Sequence, residues 1–144
     1  MARINMGRVI GGGIVAGLVL NVTDWLINGV WLQQTWNTAM AHLNQAPMTG
    51  AETGWFIAMD FVVGILGMWL YAAIRPRFGP GPKTAICAAL ATWAMFAFAP
   101  AIGMWGMHLF PHRLQGITTA LYIVQLVLAM LAGGKLYSED AAAA

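Results

Sequence analysis

An all-α integral membrane protein, four transmembrane helices in an antiparallel bundle, is the fold class this sequence predicts, on three observations. Of its 144 residues 60% are hydrophobic and only 8% are charged, against about 25% charged in soluble domains. The apolar residues gather in four stretches, each long enough at the helical rise to cross ~30 Å of hydrocarbon. The alternating ~10-residue segments of a transmembrane barrel do not occur in the sequence. The chain therefore reads as one four-helix domain, residues 1–144, with little mass outside the bilayer.

The first span, Val9–Trp31, follows Arg3 and Arg8. No small-x-small cleavage site comes after it, so it is expected to remain as a helix rather than serve as a signal peptide. At 100° per residue Gly13, Gly17, Asn21, Asp24 and Asn28 fall in one arc of ~80°. Gly13 and Gly17 form a G-x-x-x-G step that admits a neighbouring backbone. In the loop 33–53, Trp36, Met40 and Leu43 are spaced as one face of a short helix, expected on the outer membrane surface or folded over the bundle. Pro47 and Gly50 turn the chain into the second span, Gly54–Ile74, where Asp60, Gly64, Gly67 and Tyr71 share a narrow arc.

Pro76, Pro80 and Pro82 stiffen the next loop, which makes the second and third spans antiparallel neighbours. In the third span, Thr84–Met107, Pro100 cannot donate to the Phe96 carbonyl, and a kink is expected there. Cys87, the single cysteine, is expected as a small packed apolar residue rather than a reactive thiol. The fourth span, Gly116–Leu136, carries Thr118, Tyr122, Gln125, Ala129 and Gly133 on one stripe. Residues 138–144 read as a frayed tail.

Arg3, Arg8, Arg75, Arg77, Lys83 and Lys135 lie on one side of these spans and Arg113 on the other. The positive-inside rule then puts both termini and the Arg75–Lys83 loop in the cytoplasm. Charges this dispersed along a membrane boundary exclude a nucleic-acid interface. Ile10-Gly11-Gly12-Gly13 aligns with Ile86-Cys87-Ala88-Ala89, and Gly54…Ala58 with Gly116…Ala120, a pattern compatible with two parallel-repeat hairpins.

Asp24 and Asp60 are the main functional pointers. A carboxylate in hydrocarbon needs a partner, a proton or a water-filled cavity. Counted from the span ends, Asp24, Asp60 and Tyr122 each lie ~9–11 Å inside the outer boundary, so they are expected to form one polar layer, with Asn21, Asn28 and Gln125 adjoining it. Gly13, Gly17, Gly64, Gly67, Ala129 and Gly133 are the expected packing contacts. Asp24 and Asp60 serve either as interhelical hydrogen-bonding groups or as a proton- or cation-handling pair.

His42, His108 and His112 lie on the outer side and constitute a weaker metal, haem or chlorophyll constellation. Pro111 argues against one helical face for the last two. Trp31, Trp36, Trp55 and Trp105 read as an aromatic belt, whereas Trp25, Trp69 and Trp93 are deeper and suit core packing or a flat cofactor. Nucleophile-elbow, zincin, phosphate-loop and C-x-x-C motifs do not occur.

The stretch Trp69-Leu70-Tyr71-Ala72-Ala73-Ile74-Arg75-Pro76-Arg77-Phe78-Gly79-Pro80-Gly81-Pro82-Lys83, with Asn21…Asp24-Trp25 upstream, resembles uncharacterised small four-helix bacterial inner-membrane proteins. That resemblance implies a bacterial inner membrane and this topology, and carries no activity. The leading expectation is a non-catalytic accessory or structural subunit of a homo-oligomer or larger membrane complex, with bound lipid as its companion. The alternative is a proton or small-cation transporter or channel using the Asp24/Asp60 layer. A pigment- or haem-binding membrane subunit comes third.

Overall fold

In a computed structural model, residues 4–138 are described; Arg3 and the 139–144 portion of the tail lie outside them. All regular secondary structure among the described residues is helical. Asn5 opens α1 (Met6–Asp24), its side-chain oxygen accepting from the Arg8 N–H, which satisfies one of the donors every helix start leaves free. The chain then continues as a π-helical segment, Trp25–Trp31, in which the Leu32 N–H reaches back to the Ile27 carbonyl at 2.8 Å. A short helix, α2 (Gln33–His42), follows.

The long helix α3 (Gly50–Phe78) starts at a capping box in which Thr49 and Glu52 bond reciprocally. It runs four residues beyond the Ile74 end expected from hydropathy, straight through Pro76. In the last turn Pro76 removes only one backbone bond, and the Gly79 N–H, at φ 81°, closes the end on the Arg75 carbonyl. The third span is built of three pieces: α4 (Pro82–Trp93), a second π-helical segment (Ala94–Phe98) and α5 (Ala99–Met107). The fourth, α6 (His112–Leu136), begins one turn earlier than its apolar run.

Four of these units are long and apolar enough to cross a membrane: Met6–Trp31, Gly50–Phe78, Pro82–Met107 and His112–Leu136. The protein therefore has the make-up of a multi-pass membrane protein. α1 packs on α3 and α6, and α4 packs on the same two helices, while α3 and α6 also meet across the middle. Glycine sets how close these backbones come. A Cβ on Gly64 would stand 2.6 Å from the Gly13 carbonyl oxygen and 2.7 Å from the Gly17 nitrogen, so only glycine lets α3 and α1 touch there. Gly12 and Gly133 do the same between α1 and α6, a Cβ on Gly133 falling 2.5 Å from the Gly12 oxygen.

Around these contacts Leu20, Met68, Leu126 and Met130 are fully buried. They fill the interior between the helices. Outward-facing positions carry Leu18, Val22, Leu66, Leu90 and Leu128, as a helix surrounded by lipid requires.

Cys87 corrects one expectation: it is exposed rather than packed. The packed face of α4 is Ala85, Ala88, Ala89 and Thr92, a 3.6-residue stripe that leaves Cys87 on the outer side. Trp25 and Trp69 also face outward, at 61% and 46% exposure. Trp93 instead stacks on Phe98 at 5.0 Å and donates to the Thr119 carbonyl at 2.7 Å, tying α4 to α6.

Candidate functional site

α1 delivers Asp24 to its last position, where the α-helix gives way to the π-helical turn. Asp24 Oδ1 accepts from Asn28 Nδ2 at 2.7 Å, and Asn28 Oδ1 in turn accepts from Trp36 Nε1 at 2.9 Å. This relay carries the polar stripe of the first span into α2. Trp36 packs edge-on against Phe110 at 5.5 Å, in a small cluster with buried Leu32, Ala39 and Leu114. The short helix thus folds over this end of the bundle, with Ala39 buried and Trp36, Met40 and Leu43 half-buried.

Asp60, on the packed side of α3, is 3% exposed. It lies within electrostatic reach of both Asp24 and Tyr122. Asp24 and Tyr122 line one cavity. The α1–α3 register, Gly17 against Phe61 and Asn21 against Ile57, sets Asp60 nearer the level of Gly17 than of Asp24, so the single layer expected from span ends is not formed. Asn21 is a turn away from Asp24 and acts as a tether, its Nδ2 donating to the Gly17 carbonyl at 2.9 Å and to the Ile57 carbonyl of α3 at 3.3 Å. Gln125, 2% exposed, accepts from Thr23 Oγ1 at 3.1 Å. The small residues Gly13, Gly17, Gly64, Gly67, Ala129 and Gly133 line the contacts one to three turns farther from α2.

Beside Asp24 and Tyr122 is a cavity of about 320 Å³, with Asn28, Trp36, Gln115 and Gln125 also among its polar and aromatic lining. One wall is apolar: Met59 and Val62 from α3 face Phe96, Pro100 and Met104 from the third span. Met59, Val62 and Phe96 are also 49%, 54% and 43% exposed on the outside of the protein. Residues that belong to both the cavity and the outer surface mark its mouth, which opens sideways between α3 and the third span. That gap exists because the third span, beyond Trp93, continues against α6 without extended contact with α3. Its π-helical segment ends just ahead of Pro100, with the Ala99 N–H bonded to the Ala94 carbonyl, and wide turns and proline both redirect a helix axis.

Gln115 is the residue the sequence reading missed. It is 4% exposed, it lines the cavity, and neither its amide nitrogen nor its oxygen has a hydrogen-bond partner among the described residues. Its signal was present, because it precedes Thr118 by three and Tyr122 by seven, the spacing of the same stripe. Starting the span at Gly116 hid it.

The histidines gather elsewhere. His108 ends α5 in the left-handed conformation at φ 53°, which brings its ring 5.2 Å from that of His112 across Pro111. Both are exposed, as is His42. No group of three or more His, Cys, Asp or Glu positioned for a metal ion occurs among the described residues. No family model matches the chain, and neither a curated protein nor a solved structure shows significant similarity to it.

Proposed function

We propose that the protein is a non-catalytic membrane carrier that binds a proton or small cation at Asp24 and Asp60 and releases it after rearrangement. The observation that carries this reading is an acidic group, Asp24, lining a cavity, with a second, Asp60, buried on the adjoining helix α3. Carboxylates sealed as interhelical glue would have their oxygens consumed by protein donors. Here Asn28 supplies one bond to Asp24, and no hydrogen bond to Asp60 is found among the described residues. A carrier is favoured over a channel by the fully buried Leu20, Met68, Leu126 and Met130 side chains, which occupy the interior between the helices.

In this reading the spans run antiparallel in a bacterial inner membrane, as two like-oriented hairpins, with both termini and the Arg75–Lys83 loop cytoplasmic. The cavity then belongs to the outer half. The test is a pH-gradient assay in proteoliposomes. Wild-type protein is expected to dissipate the gradient at least about tenfold faster than empty vesicles, and Asp24→Asn or Asp60→Asn to return it to the empty-vesicle rate. Equal leakage from all three proteins, matching empty vesicles, overturns the carrier.

A second reading, the accessory subunit of an oligomer or larger complex, draws on α5. A Cβ on Gly103 or Gly106 would meet nothing within 4 Å, so this exposed small-residue face is unused inside the protomer. Gly12, Gly13, Gly17, Gly64 and Gly133, by contrast, are consumed by contacts within the chain, which removes most of the motive for oligomerisation. Mass measurement in mild detergent separates the two: a monomer retaining gradient dissipation excludes the subunit reading.

A further inference from the structure

We propose that the lateral cavity takes an amphipathic organic cation, an alkyl- or arylamine with an apolar body, which enters from the lipid side between Met59/Val62 and Phe96/Pro100. The inference rests on Asp24 being a cation site and names the class of cation. Size is the first argument. At about 320 Å³ the cavity matches the small end of organic-ligand pockets, about 300–1,000 Å³. It has room for roughly ten waters at ~30 Å³ each, far more than a bare ion fills.

The two-sided chemistry is the second. A hydrated inorganic cation needs polar ligands all round, and the Met59, Val62, Phe96, Pro100 and Met104 wall supplies none from its side chains. An apolar body satisfies that wall by the ordinary gain from removing hydrocarbon surface from water. The opposite wall suits an ammonium group. Asp24 has one oxygen engaged by Asn28, which leaves the other for an N–H donor. Tyr122 and Trp36 offer aromatic rings to a cation in the same space.

Gln115 is the independent sign of a missing ligand. A buried primary amide with no partner costs about 1–3 kcal/mol of desolvation, and such groups are retained where something else satisfies them. Its carbonyl oxygen, 4% exposed with the rest of the side chain and lining the cavity, is a free acceptor for a polar group of the occupant. The mouth supports entry from the membrane. Its rim is made of exposed apolar side chains, the surface that meets lipid, where an amphipathic amine accumulates with its body in the hydrocarbon.

The experiment measures binding of 4-phenylbutylamine to the protein in lipid nanodiscs by calorimetry, beside 4-phenylbutanol, a neutral probe of the same body. The amine is expected to bind saturably and at least about tenfold more tightly than the alcohol. Asp24→Asn is expected to remove that preference while alcohol binding persists, and Val62→Trp, an exposed position at the mouth, to weaken both probes at least about tenfold. Equal affinity of wild-type protein for amine and alcohol overturns the proposal, and so does an amine preference untouched by Asp24→Asn. Gradient dissipation that depends on Asp24, with no amine binding, overturns the organic cation and leaves the proton or inorganic-cation carrier standing. Amine selectivity without gradient dissipation retains the site and removes the carrier.

Discussion

At the residue scale, the interior contrasts glycines that hold helices together with glycines that hold nothing. Gly64 faces the Gly13 oxygen and Gly17 nitrogen, both backbone atoms that cannot rotate away, so Gly64→Ala forces α3 off α1. It is expected to cost about 1–3 kcal/mol, the usual range for overpacking, whereas Gly103→Ala meets open space and is expected to stay within about 0.5 kcal/mol. Thermal unfolding of both variants in the same detergent checks the pair. The buried glutamines make a second contrast. Gln125→Leu breaks the bond from Thr23 and is expected to destabilise by about 0.6 kcal/mol, the average for interhelical hydrogen bonds in membranes. Gln115→Leu removes an unpartnered amide and is expected to stabilise the unliganded protein by about 1 kcal/mol. Chemical denaturation in micelles reads both signs, and a destabilised Gln115→Leu protein would mean that the amide already has a partner.

At the scale of elements, α2 is attached to the spans through few groups. Asn28 stands between Asp24 and Trp36, and Trp36 rests on Phe110. A short helix with one buried residue, Ala39, has little stability of its own, so its order depends on these links. Asn28→Ala is expected to raise amide hydrogen exchange across Gln33–His42 by about tenfold or more, with α6 unchanged, the signature of local rather than global opening. Uniform exchange in both helices would show that the relay does not hold α2. The π-helical segments belong to this scale too. One begins immediately after Asp24 and the other ends just before Pro100, so both departures from α geometry border the cavity, where such turns commonly occur in proteins.

For the whole molecule, orientation is the prediction. In a Cys87→Ser background, Thr38→Cys and Lys83→Cys each place one thiol on an exposed position at opposite ends of the structure. A membrane-impermeant maleimide applied to cells with a permeabilised outer envelope is expected to label Thr38→Cys and spare Lys83→Cys until the inner membrane is lysed. The reverse pattern would invert the topology.

The four spans were legible without coordinates because bilayer thickness imposes a length and a hydropathy that any crossing helix must show. The small and polar stripes were legible as well, since a regular helix repeats its faces every 3.6 residues. Cys87 was misread from composition alone, where the phase of Ala85, Ala88, Ala89 and Thr92 would have put it outside. What the sequence by itself determined, then, was how many helices are long and apolar enough to cross a membrane and which face of each is small or polar. Tertiary structure decided which stripes touch, as with Gly12 against Gly133. It also decided where the helices widen into π turns, how α2 folds over the end, and that α3 and the third span part beside Asp24. Those depend on how ridges on one helix settle into grooves on another, an outcome of mutual fit that no single stretch of chain contains.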